Sequence, residues 1–193
     1  MSRKWKLIMI ALLIGAAVLF GLGEQYPESP VLPIGVGLLG LGVIISGVDS
    51  IITREAIFQY EESTTTDTYT GFSAVVWGIC FVLIGLAILG AGVVHGVGAD
   101  KLVLNFLGQY PGLALIYGSI VAFTFAIPGI IGSHEQRQSR WAIFISIPGR
   151  FFWLFIMVVA IAVLALGVLA LISPSFIATL GQHLKSLFPH LPE

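Results

Sequence analysis

Charge is scarce in this sequence. Asp, Glu, Lys and Arg together make up 10% of its 193 residues, against about 25% in ordinary soluble domains. A water-facing surface of the usual kind cannot be built from so few charges. Cysteine is nearly absent as well: Cys80 stands alone, which excludes an intrachain disulfide and any zinc or iron–sulfur site with several cysteine ligands. Nine basic residues face ten acidic ones, and no basic stripe with interleaved aromatics occurs, so nucleic acid is not an expected partner. Signatures of catalysis are missing too. There is no Walker A loop, no G-x-G-x-x-G after a strand, no H-E-x-x-H and no pair of aspartates within an apolar stretch. Gly71-Phe72-Ser73-Ala74 approaches a nucleophile motif but lacks the closing glycine and an opposing base. His134, His183 and His190 have no partner at metal-ligand spacing. The expectation is a non-enzyme without cofactor or metal.

Apolar sequence is what the chain has in quantity, with a hydrophobic fraction of 57%. Five stretches are long and nearly uncharged: Trp5–Leu22, Val31–Ile52, Gly71–Val97, Gly112–Ile131 and Phe151–Ile172. A helix rises about 1.5 Å per residue and the hydrocarbon core is about 30 Å thick, so about 20 such residues span it. Backbone N–H and C=O groups in lipid must bond each other, which makes each span helical. The sequence therefore predicts an all-α integral membrane protein, a single membrane domain over residues 1–193 with five transmembrane helices in a bundle with short loops. Arg3, Lys4 and Lys6 ahead of the first stretch resemble the start of a secretory signal; an uncleaved first helix is the reading adopted.

Lysine and arginine set the orientation. With the N-terminus inside, the cytoplasmic side carries Arg3, Lys4, Lys6, Arg54, Arg137, Arg140 and Arg150, and the outer side only Lys101 and Lys185. The positive-inside rule then puts the N-terminus in the cytoplasm and, after five crossings, the C-terminal tail (173–193) outside. A plasma membrane is expected, with a bacterial inner membrane favoured. Two connections, 53–70 and 133–150, fall on the cytoplasmic side. In the first, Phe58 and Tyr60 alternate with Gln59 and Glu61, and the run of threonines from Thr64 to Thr70 favours extended backbone, which predicts a small β-hairpin turning near Glu62–Thr65. In the tail, Phe176, Leu180, Leu184, Leu187 and Phe188 recur at helical spacing and predict an amphipathic helix lying on the outer interface. Asp100 to Leu107 reads either as a short outer helix, capped by Asp100 and stopped by Gly108, or as an extension of the fourth span.

Glycine is abundant, with 23 residues, many inside the spans. Small residues let helices approach closely in lipid. Rows at four-residue spacing mark candidate packing or partner faces: Gly42, Ser46 and Ser50 on the second span; Ala87 and Ala91, with Gly92 and Gly96, on the third; Ala114, Gly118, Ala122 and Ala126 on the fourth. Polar residues within the spans are few. Asp49 is the one intramembrane acid, and with Tyr117, Ser119 and Thr124 it forms the candidate ion or polar site. His95 is the candidate ligand for a bound group. Three functions are compatible with this pattern. The leading one is a non-enzymatic subunit that packs against other membrane proteins or itself within the lipid, in an assembly or structural role. The alternatives are a small transporter or channel component, and a binder of lipid, quinone or pigment.

Overall fold

A computed structural model of the chain describes residues 3–26, 30–59, 66–133 and 140–173. Six helices and one hairpin occur among them. In order they are α1 (Arg3–Gln25), α2 (Val31–Thr53), β1 (Glu55–Gln59), β2 (Thr66–Thr70), α3 (Phe72–Gly96), α4 (Asp100–Gln109), α5 (Pro111–Ile131) and α6 (Arg140–Ile172). Four stretches are long and apolar enough to cross a bilayer: Val31–Thr53, Phe72–Gly96, Pro111–Ile131 and Gly149–Ile172. The apolar part of α1, Leu7–Gly23, is shorter. The expected tail helix and the hairpin turn near Glu62–Thr65 lie outside the described residues.

The long helices pack side by side in chain order: α1 on α2, α2 on α3, α3 on α5, and α5 on α6. Each neighbour runs antiparallel to the last. Glycine makes the closest of these contacts. A Cβ on Gly40 would fall 2.6 Å from the Leu89 backbone nitrogen, and one on Gly47 would fall 2.5 Å from the Gly78 carbonyl oxygen. From α3, a Cβ on Gly85 would meet the Gly40 carbonyl at 2.8 Å, and one on Gly92 the Pro33 carbonyl at 2.9 Å. These glycines stand seven residues apart on both helices: Gly40 and Gly47; Gly78, Gly85 and Gly92. A seven-residue repeat keeps one face turned to the neighbour over several turns. The opposite side of α2 approaches α1, where Gly35 sits against Leu19. Between α5 and α6, Gly112 lies against Gly167, and Gly129 lies against the Trp153 ring.

Two connections differ from the sequence reading. The stretch expected as a loop over 133–150 is helical from Arg140, so α6 runs for 33 residues, about 50 Å at 1.5 Å per residue. Its first residues, Arg-Trp-Ala-Ile-Phe-Ile-Ser-Ile, are mostly apolar and free of breakers before Pro148, which lets the helix form upstream of the span. Asp100–Gln109 is a helix of its own, but Ala99 is its N-cap and Gly108 lies within it. Gly98, at φ 67°, closes α3, and Pro111 opens α5, so those two residues bound α4. Asp100 keeps a favourable place in the first turn, where an acid offsets the helix dipole.

The β-hairpin expected in the first connection is present. β1 and β2 are antiparallel, with Ala56 opposite Tyr69 and Phe58 opposite Asp67. Arg54, at φ 55°, ends α2 in the left-handed region and turns the chain into β1. The Gly71 N–H donates to the Arg54 carbonyl at 2.9 Å and closes the hairpin base. Side chains alternate across the ribbon, so Ala56, Phe58 and Tyr69 share one face. That face docks on α3.

Candidate functional site: a cavity beneath the hairpin

The hairpin is held by rings. Phe58 lies 5.0 Å from Trp77 and 5.9 Å from Phe81, between ring centroids, and Tyr69 lies 5.8 Å from Trp77. The chain of rings continues through Phe125 of α5 (4.8 Å from Trp77) to Trp153 of α6 (5.1 Å from Phe125). Of these pairs, Tyr69–Trp77, Trp77–Phe125 and Phe125–Trp153 are edge-to-face, a geometry that adds about 0.5–1.5 kcal/mol each beyond the area buried. Ala56, Ala74, Trp77 and Cys80 form the buried cluster at the centre.

Beside this cluster, between α1, α2 and β1, lies a cavity of about 540 Å³. Its walls are largely apolar: Met9, Ile10, Ala56, Ile57, Phe58 and Phe81. Its polar lining is Ser46, Asp49, Ser50 and Glu55. Among the described residues, no lysine, arginine or histidine lines it. Asp49 is half-buried, one turn before the end of α2, while Glu55 is exposed at the start of β1. The Ser50 hydroxyl is buried and donates to the Ser46 carbonyl at 3.1 Å. The hinge between the two acids is braced by Thr53, whose hydroxyl donates to the Asp49 carbonyl at 2.7 Å. Ser46 and Ser50, which the four-residue spacing grouped with Gly42 as a packing face, thus share a cavity with Asp49. Gly42 itself turns to α1, 3.9 Å from the Leu12 Cβ if it carried one of its own. Glu55 and the two phenylalanines carried no sequence signal for this site, because a hairpin folded back over a helix end brings them there.

The other polar candidates do not converge with Asp49. The Tyr117 hydroxyl donates to the Leu83 carbonyl across to α3. Ser119 donates to Leu115 and Thr124 to Val121, each within its own helix. His95 sits 3.2 Å from the Asp100 carboxylate near the end opposite the hairpin, and both are exposed. Among the described residues no group of three or more His, Cys, Asp or Glu could hold a metal ion. Ser73 is buried, at 2% exposure. Its hydroxyl and the Trp77 indole N–H, one turn apart, have no hydrogen-bond partner among the described residues.

The small-residue rows divide. Gly92 and Ala126 are buried, and Gly96 lies against Pro33. Ala122 is half-buried, whereas Ala87, Ala91, Ala114 and Gly118 are exposed. The observed contacts between α3 and α5 run from Trp77–Phe125 through Cys80–Val121 to Leu83–Tyr117. The exposed small residues follow on towards the α4 end, where a Cβ on Gly118 would meet nothing within 4 Å.

The chain matches no protein-family model, no curated protein and no solved structure.

Proposed function

We propose that this chain is a non-enzymatic integral membrane subunit that packs laterally against other membrane proteins or a second copy of itself. In this reading α1 supplies a fifth crossing, the N-terminus and the hairpin face the cytoplasm, and the host bilayer is a plasma membrane, the bacterial inner membrane by preference. The observation that carries it is the exposed set Ala87, Ala91, Ala114 and Gly118 on α3 and α5. Between α2 and α3, small residues at the helix surface are covered by the neighbouring helix, as Gly40 and Gly85 are. Small side chains favour close helix contact in lipid, where packing rather than water exclusion drives association.

The test is sedimentation in mild detergent, comparing the protein with an Ala87→Leu/Ala114→Leu variant. The intact protein is expected to form a complex, with itself or with a co-purifying membrane protein. The variant is expected to be monomeric with an unchanged melting temperature, since the residues replaced are exposed. An intact protein that stays monomeric with nothing bound ends this reading. The transporter reading draws less support. It needs Asp49 and the α5 hydroxyls on one path, and those hydroxyls are bonded to carbonyls apart from the cavity. The binder reading with His95 as ligand competes with the Asp100 contact.

A further inference from the structure

We infer that α4 is embedded in the bilayer surface on the side opposite the hairpin, with lipid acyl chains as the partner of its two exposed apolar flanks. The inference rests on the membrane reading above and goes beyond lateral packing. The level of α4 in the fold comes first. From the Leu83–Tyr117 contact, α3 runs thirteen residues on to Gly96 and α5 only six back to Pro111, about 20 Å against about 9 Å at 1.5 Å per residue. On the other side of α5, Gly167 of α6 lies against Gly112, and α6 continues five residues beyond it to Ile172, about 8 Å. So α5 begins about one to two turns short of its neighbours' ends. α4 occupies that layer, tied to the tip of α3 by residues 97–99 and to the start of α5 by Tyr110.

The surface of α4 matches such a place. Its contact with α3 and α5 is slight, and none of its residues is buried. At 3.6 residues per turn, Val103 and Leu107, both half-buried, face the bundle, and Lys101, Asn105 and Gln109 take the opposite side. The arcs between are apolar: Leu102 and Phe106 on one flank, Leu104 on the other, 70%, 47% and 67% exposed. A partner protein docked on one flank would leave the other bare. Lipid meets both at once and takes an amphipathic helix with its polar side to the water. The same layer carries exposed Val93 and Val97 on α3 and Ile172 on α6, so the flanks of α4 continue the apolar belt of the long helices. Leu102 and Phe106 also share a surface hollow with Asn105 and Gln109, apolar walls for a chain beside amide donors for ester or phosphate oxygens.

Spin labels on single cysteines test this, in a Cys80→Ala background, with the full chain reconstituted in phosphatidylcholine vesicles. Leu102→Cys and Leu104→Cys report the two flanks, and Lys101→Cys and Asn105→Cys the polar side. Ile161→Cys, near the middle of the Gly149–Ile172 stretch, is the lipid reference. All five labelled positions are exposed, so the fold is kept. Both flank labels are expected to relax faster with oxygen than with a water-soluble nickel chelate, at a depth within about 5–10 Å of the headgroup–acyl boundary. The polar pair should show the reverse preference. Chelate access at either flank would place that flank in water, and a flank closed to both reagents would be covered by protein, a second copy included; either result overturns the inference. Chelate access at Ile161 as well would end the membrane reading and this inference with it, whereas failure at α4 alone leaves that reading standing.

Discussion

At the scale of single residues, glycine decides which helices can meet. Gly47 and Gly78 each leave so little room that an added Cβ would lie 2.5 Å from the other's carbonyl oxygen. Gly47→Val is therefore expected to force α2 and α3 apart and destabilise the protein by about 1–3 kcal/mol or more, the range for overpacking. Gly118→Val, where nothing lies within 4 Å, should leave stability unchanged. Thermal melts in the same detergent check both. Ser73→Ala should be neutral or stabilising, because a buried hydroxyl with no partner among the described residues costs about 1–3 kcal/mol and alanine removes it; a loss of stability in the same melts would show a bond to Ser73 from outside them. The importance of small residues was legible in the composition, but their grouping was not. Spacing by four joined Ser46 and Ser50 to Gly42. The contacts with α3 instead follow Gly40 and Gly47, with Gly78, Gly85 and Gly92 facing them, a repeat of seven visible in the sequence once the neighbour is known.

At the scale of elements, the hairpin is the piece whose sequence spoke most plainly. Phe58 and its alternating neighbours, then the threonines, gave β1 and β2 before any geometry did. What alternation cannot tell is where the ribbon lands. Phe58 and Tyr69 dock on Trp77 because α3 begins one residue after the Gly71 turn, which brings its first aromatic turn under the strand pair. Phe58→Ala should remove three ring contacts and loosen the ribbon. Backbone amides of Ala56 and Tyr69 are expected to exchange with solvent at least tenfold faster, by hydrogen-exchange mass spectrometry, while those of α5 and α6 keep their rates. The same geometry explains why the cavity was invisible in the sequence. Asp49 stood out as an acid in an apolar run, but its companion Glu55 becomes its neighbour only through the left-handed turn at Arg54. The start of α6 was misjudged: the connection was read as running to Arg150, yet the mostly apolar residues after Arg140 extend the helix.

At the scale of the whole molecule, antiparallel helices in a single row put the start of α1 and the end of α6 at opposite ends. A membrane crossed five times, as proposed, would therefore separate the two tails. In a Cys80→Ala background, a cysteine at Ser2 should react with an impermeant maleimide only after the membrane is opened, and one at Glu193 should react without it; reaction of both from one side would mean an even number of crossings. Four helices long and apolar enough to cross a bilayer were directly legible, because length and hydropathy alone define them. The row itself was not, because periodic glycines do not say which neighbour they face. That arrangement also bears on how the protein is made. Every long helix rests on the one before it in the chain, with no wall that waits for a distant strand or a closing helix. Each segment finds its seat as soon as it leaves the ribosome, and contacts local in sequence form quickly. Once α3 has emerged from the ribosome, α1, α2, the hairpin and α3 have every partner for their mutual contacts, so the acid-lined hollow can exist before α5 and α6 have emerged.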